Sequence, residues 1–245
     1  GLAYKTVDEE EWTTASENIT DLSYTLTGLD SYTHYQVKVW TVCDAENSGE
    51  RSIDFWTLPT EDQMIAIPYE QNFDDLEDLS NWELWTVTQS GANQWYLGAI
   101  GARSSAEEGE EVSGQGLYIS NDAGVTNGYN ISTSCVAHLS ALLNIEEGSY
   151  YGVEFDYRLV GEACCDYVAV SLMPLGMELT TTLSDTYVVG KATNNQGQWS
   201  RASIPLPNNI TPGAYQLVLS WRNDGSVGTA PAASIDNLYI FSTSC

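Results

Sequence analysis

This sequence predicts an all-β fold on three observations: strand-favouring side chains are abundant, apolar and polar residues alternate over short runs, and clusters of Gly, Asn and Asp separate those runs. Tyr occurs 15 times and Trp 8 times, beside many Val, Ile and Thr. Lys and Arg together number 8, too few to lace exposed helices with ion pairs. A length of 245 residues suits two β domains better than one.

The alternation starts in the first quarter of the chain. Leu22-Ser-Tyr-Thr-Leu26, Tyr35-Gln-Val-Lys-Val-Trp40 and Ser52-Ile-Asp-Phe-Trp56 each place apolar side chains on one face, the period of a half-buried strand. Residues 2–14, with Tyr4, Val7 and Trp12, add a pair of strands before them. The polar, proline-containing stretch Leu58-Pro-Thr-Glu-Asp-Gln63 reads as a linker over 59–64, between a first domain at 1–58 and a second at 65–245. In the second domain, strands are expected at 67–74, 82–85 and 94–98, and again at 116–120, 150–159, 166–173, 199–204, 214–221 and 233–241. That spacing belongs to a sandwich or jelly roll. The glutamate-dominated stretch 101–112 is expected to be a loop.

A net charge of −26, from 34 acidic and 8 basic residues, repels phosphate backbones and anionic leaflets, so nucleic acid is excluded as a partner. No apolar run reaches the roughly 18 residues of a membrane span, so no membrane insertion is expected of this segment. No signal peptide opens the chain, which reads as a processed or truncated portion of an exported, multidomain protein, monomeric within it. The five cysteines contain no C-x-x-C, and only His34 and His138 are available beside them, which argues against structural zinc. Cys135 paired with Cys164 or Cys165 is one reading of the cysteines, and buried free thiols are the other.

Two resemblances sharpen the fold. Tyr24-Thr-Leu-Thr-Gly-Leu29, followed by Tyr35-Gln-Val-Lys-Val39, resembles the corner between the fifth and sixth strands of fibronectin type III domains. That resemblance implies that Leu29 plugs a core and that the Tyr35 hydroxyl ties the corner backbone a few residues upstream. It also implies a partial sandwich whose first two strands are missing; a compact small-β cap is the alternative. From 65 to 241, the ordered set Pro68-Tyr-Glu-Gln-Asn-Phe73, Trp82, Trp95, Gly116-Leu-Tyr-Ile-Ser120, Val153-Glu-Phe-Asp-Tyr-Arg158, Asp166-Tyr-Val-Ala-Val170 and Ser234-Ile-Asp-Asn-Leu-Tyr-Ile240 is similar to bacterial cleaved-adhesin, choice-of-anchor and MAM-like modules. The resemblance implies a larger jelly-roll β-sandwich whose first and last strands lie together. It further implies a structural calcium ion held there by Glu70, Asp74 and Asp236. Strand-end carboxylates that merely bond backbone amides are the competing reading.

For chemistry, Asp156 and Asp166 lie among apolar strand residues and need a partner, which Arg158 or Arg222 could supply. No Gly-x-Ser-x-Gly elbow occurs, the histidines fall in different domains, and no pair of acids stands out, so an enzyme is not expected. His138, in Val136-Ala-His-Leu139, reads as a satisfied strand histidine. Trp85, Trp199 and Trp221 are the candidate stacking platforms for sugar rings. Trp221, Arg222 and Asp224 combine a ring, a cation and a turn at one sheet end, and form the expected ligand-binding set. The expectation is a non-catalytic, extracellular or bacterial cell-surface adhesion module binding glycan or protein. The alternative is an accessory module of a larger secreted peptidase or glycoside hydrolase.

Overall fold

The computed structural model describes every residue except 44–45, 75–79, 81, 88–92, 104–113 and 245, with 84–87 described by their backbone alone. The acidic stretch expected as a loop falls largely outside the described residues, as does the side chain of Trp85. The chain divides into two compact units, Gly1–Thr60 and Glu61–Cys245.

In the first unit, β1 (Leu2–Thr6), β2 (Thr13–Ser16), β3 (His34–Val39) and β4 (Arg51–Trp56) form one antiparallel sheet in the order β2-β1-β3-β4. Leu2, Ala3, Tyr35 and Pro59 are the buried apolar side chains of this unit among the described residues. The Asp30 amide donates to the Tyr35 hydroxyl at 3.1 Å, tying the turn that leads into β3. The strand expected at 22–26 does not form. Leu22 is fully exposed, and the Tyr24 hydroxyl donates to the Ala15 carbonyl. Alternation produces a strand only where a facing surface buries its apolar side, and no second sheet covers this stretch among the described residues of the unit.

The second unit is a sandwich of two antiparallel sheets. One has the order β13 (Ser200–Pro205), β10 (Ser149–Arg158), β15 (Ser234–Ser244), β8 (Gly116–Ser120) and β7 (Gln94–Gly98), with β5 (Tyr69–Gln71) also pairing β15. The other has the order β12 (Val188–Ala192), β11 (Tyr167–Pro174), β14 (Gly213–Asn223), β9 (Cys135–Ile145) and β6 (Trp82–Val87). First and last strands do meet, with Glu70 opposite Tyr239.

Pleating explains the core. Leu217, Leu219 and Trp221 of β14, Leu139 and Leu143 of β9, and Val168 and Val170 of β11 turn toward Val153, Phe155, Ile235, Leu238 and Ile240 of the opposite sheet. Each large aliphatic side chain fully withdrawn from water contributes about 1.5–3 kcal/mol. The Trp95 indole crosses between the sheets to donate to the Ala137 carbonyl at 3.0 Å. Strands β9 and β12 are additional to those expected. In β9 both faces are buried, so its Cys-Val-Ala-His-Leu-Ser-Ala-Leu-Leu run lacks the clear polar alternation of a half-exposed strand.

Candidate functional site

The face of the five-stranded sheet that points away from the core carries a band of polar side chains. On β14 these are Gln216, Ser220 and Arg222; on β9, His138 and Ser140; on β11, Ser171. Alternation forces them there, because Leu217, Leu219 and Trp221 occupy the intervening core positions. Ser220 lies opposite His138, and Tyr167 opposite Arg222.

The band is bonded internally but incompletely. Gln216 Nε2 donates to Ser140 Oγ at 3.3 Å. His138 Nε2 lies 2.9 Å from the Thr180 carbonyl, which can only accept, so Nε2 carries the proton and Nδ1 accepts from Ser220 Oγ at 2.8 Å. Burial holds the imidazole pKa below its ordinary value, keeping the ring neutral. Ser171 Oγ and Gln216 Oε1 are buried with no partner among the described residues.

The contact with Thr180 brings the connection between β11 and β12 over this band. Residues 174–187 contain no buried side chain. At one end of the band, Lys191 Nζ and the Arg222 guanidinium lie over the Tyr167 ring, at 4.3 Å and 5.5 Å from its centroid.

Of the expected ligand-binding set, Trp221 requires correction. It is fully buried and packs edge-on against Tyr129, with centroids 5.4 Å apart, because its position in β14 has core parity. Arg222 has the opposite parity; its Nη1 donates to the Cys165 carbonyl at 3.0 Å. Asp224 lies in the turn beyond β14 and accepts from the Ser226 amide and hydroxyl, bonds that hold its carboxyl below the usual range. Trp199 is half-buried, with the Arg158 guanidinium 5.2 Å from its ring centroid.

The expected calcium ligands lie on the other sheet. Asp236 is buried; its Oδ2 accepts from the Arg103 amide at 2.6 Å and its Oδ1 from the Asn237 amide at 2.7 Å. Burial raises its carboxyl pKa, and the neighbouring charges of Asp74 and Asp156 add to that rise against the two amides. Asp74 Oδ1 accepts from the Gln115 amide at 2.7 Å. Glu70 is exposed and lines a different recess with Arg201, Asn237 and Tyr239. Asp74 and Asp236 thus approach each other, while Glu70 does not complete a three-acid set with them among the described residues.

Asp156 does find cations, but not the expected ones. Arg103 Nη1 lies 2.8 Å and Arg201 Nη1 3.3 Å from its carboxylate, and Asn237 Nδ2 donates to it at 2.9 Å. Arg158 turns instead to the Ile100 carbonyl. Asp166 accepts from the Tyr129 hydroxyl and the Glu162 amide. Among the cysteines, Cys164 bonds to its neighbour Cys165. Cys135 is a buried free thiol near the Asn93 carbonyl, its pKa pushed up to about 11 by burial.

No protein-family model matches this chain, and no curated protein matches it. Among solved structures it is similar to the K1 cleaved adhesin domain of Lys-gingipain from Porphyromonas gingivalis W83, at 13% identity over 71% of this chain and 98% of that one, with a TM-score of 0.46. It is also similar to TmCBM61 in complex with β-1,4-galactotriose, at 14% identity over 67% of this chain and 90% of that one, with a TM-score of 0.39. A third is the CBM22-1 xylan-binding domain from Paenibacillus barcinonensis, at 10% identity over 72% and 94%, with a TM-score of 0.39.

Proposed function

We propose that residues 61–245 form a non-catalytic, extracellular or cell-surface module that binds a neutral glycan on the outward face of the five-stranded sheet. One observation carries this reading: the buried polar band that includes His138, Ser140, Ser171, Gln216 and Ser220 keeps hydrogen-bonding capacity unused at Ser171 Oγ and Gln216 Oε1. A sugar presents vicinal hydroxyls that both donate and accept, which is what such a band requires. A hydroxyl oxygen at the place of the Thr180 carbonyl would accept from His138 Nε2. In the 174–187 connection Leu175, Met177, Leu179, Leu183 and Tyr187 are half-buried and no side chain is fully buried, so displacing it costs less packing than moving a core strand.

The net charge of −26 disfavours anionic polysaccharides, which is why the proposal is limited to neutral sugars. Glu83 of β6 lies opposite Ser140 on this face, and glycoside hydrolysis needs two carboxylates facing one ring; the polar residues named in the band supply no second one, hence a binding role. The disulfide between Cys164 and Cys165 fits an oxidising, extracellular compartment.

A neutral-glycan array, followed by calorimetric titration of the best oligosaccharide, tests this. Binding should weaken by about tenfold or more in Gln216→Leu and in His138→Ala, roughly the loss of one or two hydrogen bonds. It should be unchanged in Glu70→Gln. No binding across the array, or binding indifferent to both sheet variants, would overturn the proposal.

A further inference from the structure

We propose that Glu162, Asp166 and Asp224 bind a divalent cation of the calcium class, where the connection between β10 and β11 meets the turn after β14. Each of the three offers one carboxylate oxygen, and these atoms all lie within 4.8 Å of one another. A calcium ion with ligand bonds of about 2.4 Å spans the same distance across its shell.

The orphaned oxygen of Asp166 points to the ligand independently. This side chain is only 1% exposed. Its Oδ2 accepts from the Tyr129 hydroxyl at 2.5 Å and from the Glu162 amide at 2.9 Å, whereas its Oδ1 is buried without a partner among the described residues. A buried carboxylate oxygen left unbonded is costly, and two further carboxylates beside it add repulsion. Arg222 acts on Asp224 electrostatically, but its Nη1 is committed to the Cys165 carbonyl. A divalent cation bound through Asp166 Oδ1 would give that oxygen a partner and offset the repulsion as well.

The donor set selects the metal. It consists of oxygens, and the adjacent Cys164 and Cys165 are joined as a disulfide, so no thiolate competes for zinc. Ser226 Oγ supplies a further oxygen, 2.8 Å from Asp224 Oδ1 and 3.4 Å from Glu162 Oε2. Both loops are shaped for close approach. The Glu162 carbonyl accepts the amides of Cys165 and Asp166, folding the first loop into a tight turn that the disulfide staples. In the second, a Cβ at Gly228 would fall 2.0 Å from the Tyr129 hydroxyl and 3.0 Å from Asp166 Oδ2, so only glycine lets the chain pass there.

Terbium, a luminescent stand-in for calcium, tests the site on the full chain after chelator treatment, because Tyr129 and Trp221 lie close enough to sensitise it. Emission should rise saturably to one ion per chain and be displaced by calcium. Asp224→Asn and Glu162→Gln should each weaken binding by about tenfold or more. Both side chains are half-exposed, so these variants should melt with wild type in EDTA while losing the calcium-induced rise in melting temperature. Asp166→Asn is not the decisive variant, since it also disturbs the Tyr129 bond. Absence of saturable emission, or emission unaffected by both variants, would overturn the proposal. Loss in Glu70→Gln or Asp236→Asn in place of these would overturn it too, putting the ion at the first and last strands. Glycan binding does not enter any of these readouts, so the two proposals fail separately.

Discussion

At Trp221 the pleat of β14 decides whether an indole packs or binds. One position earlier or later it would face outward beside Arg222; where it stands, it fills the centre of the sandwich. Trp221→Ala should therefore destabilise the second unit by about 3–5 kcal/mol in urea unfolding, the cost of an aromatic truncated in a core. At His138 the same parity rule yields a titration. The neutral ring is favoured in the fold because burial lowers its pKa, while in the unfolded chain it takes up a proton below about pH 6.5. Full stability is thus present above pH 6.5 and falls as the pH drops toward the lowered native value. The difference in unfolding free energy between wild type and His138→Gln, measured across pH 7.5 to 5, should shrink as the pH falls. A difference independent of pH would contradict a neutral His138. Cys43 and Cys135 separate the free thiols by exposure: a thiol reagent should modify Cys43 in the native protein and Cys135 only after unfolding. Sequence could nominate these residues by type, but not their state, because burial and partners come from other strands.

Strands differ in how plainly they announce themselves. β14 is legible: Gln216, Ser220 and Arg222 alternate with Leu217, Leu219 and Trp221, and that same alternation marks the polar band. β9 was obscure because it is buried on both faces, which erases the period-two contrast, and β12 is short with a glycine at its centre. Gly190 is there because a Cβ would fall 2.6 Å from the Ile204 side chain. The outward face of the six-stranded sheet is held by charge. Arg103→Met removes the shorter of the two arginine contacts to the buried Asp156 carboxylate and should cost about 1.5–3 kcal/mol, read from denaturant midpoints. Arg103 and Arg201 were not the partners nominated from sequence, since neighbours on one strand share a face but compete for different acceptors, as Arg158 does with the Ile100 carbonyl. The 174–187 connection, lacking a buried side chain, should exchange its amides faster than β9 and β14 beneath it, a contrast measurable by hydrogen exchange.

On the scale of the whole chain, the two units bury very different amounts of apolar surface. Leu2, Ala3, Tyr35 and Pro59 are the buried apolar side chains of the first among the described residues, against a continuous two-sheet core in the second. Native-state hydrogen exchange should accordingly show residues 1–60 less protected than the strands of 61–245; equal protection would mean that the first unit draws stability from something other than its own core. What the sequence by itself determined is the all-β character and the approximate place of most strands. Those follow from composition, turn residues and a side-chain period of two, which are local properties of the backbone. Only the tertiary structure decided which face of each strand is core and which acids converge. Glu162 and Asp166 meet Asp224 at one sheet end, and His138 meets Ser220 across a ladder, at sequence separations where no local pattern operates. Strand pairing and sheet stacking create those meetings, and they are set by the packing of the entire core rather than by any segment of it.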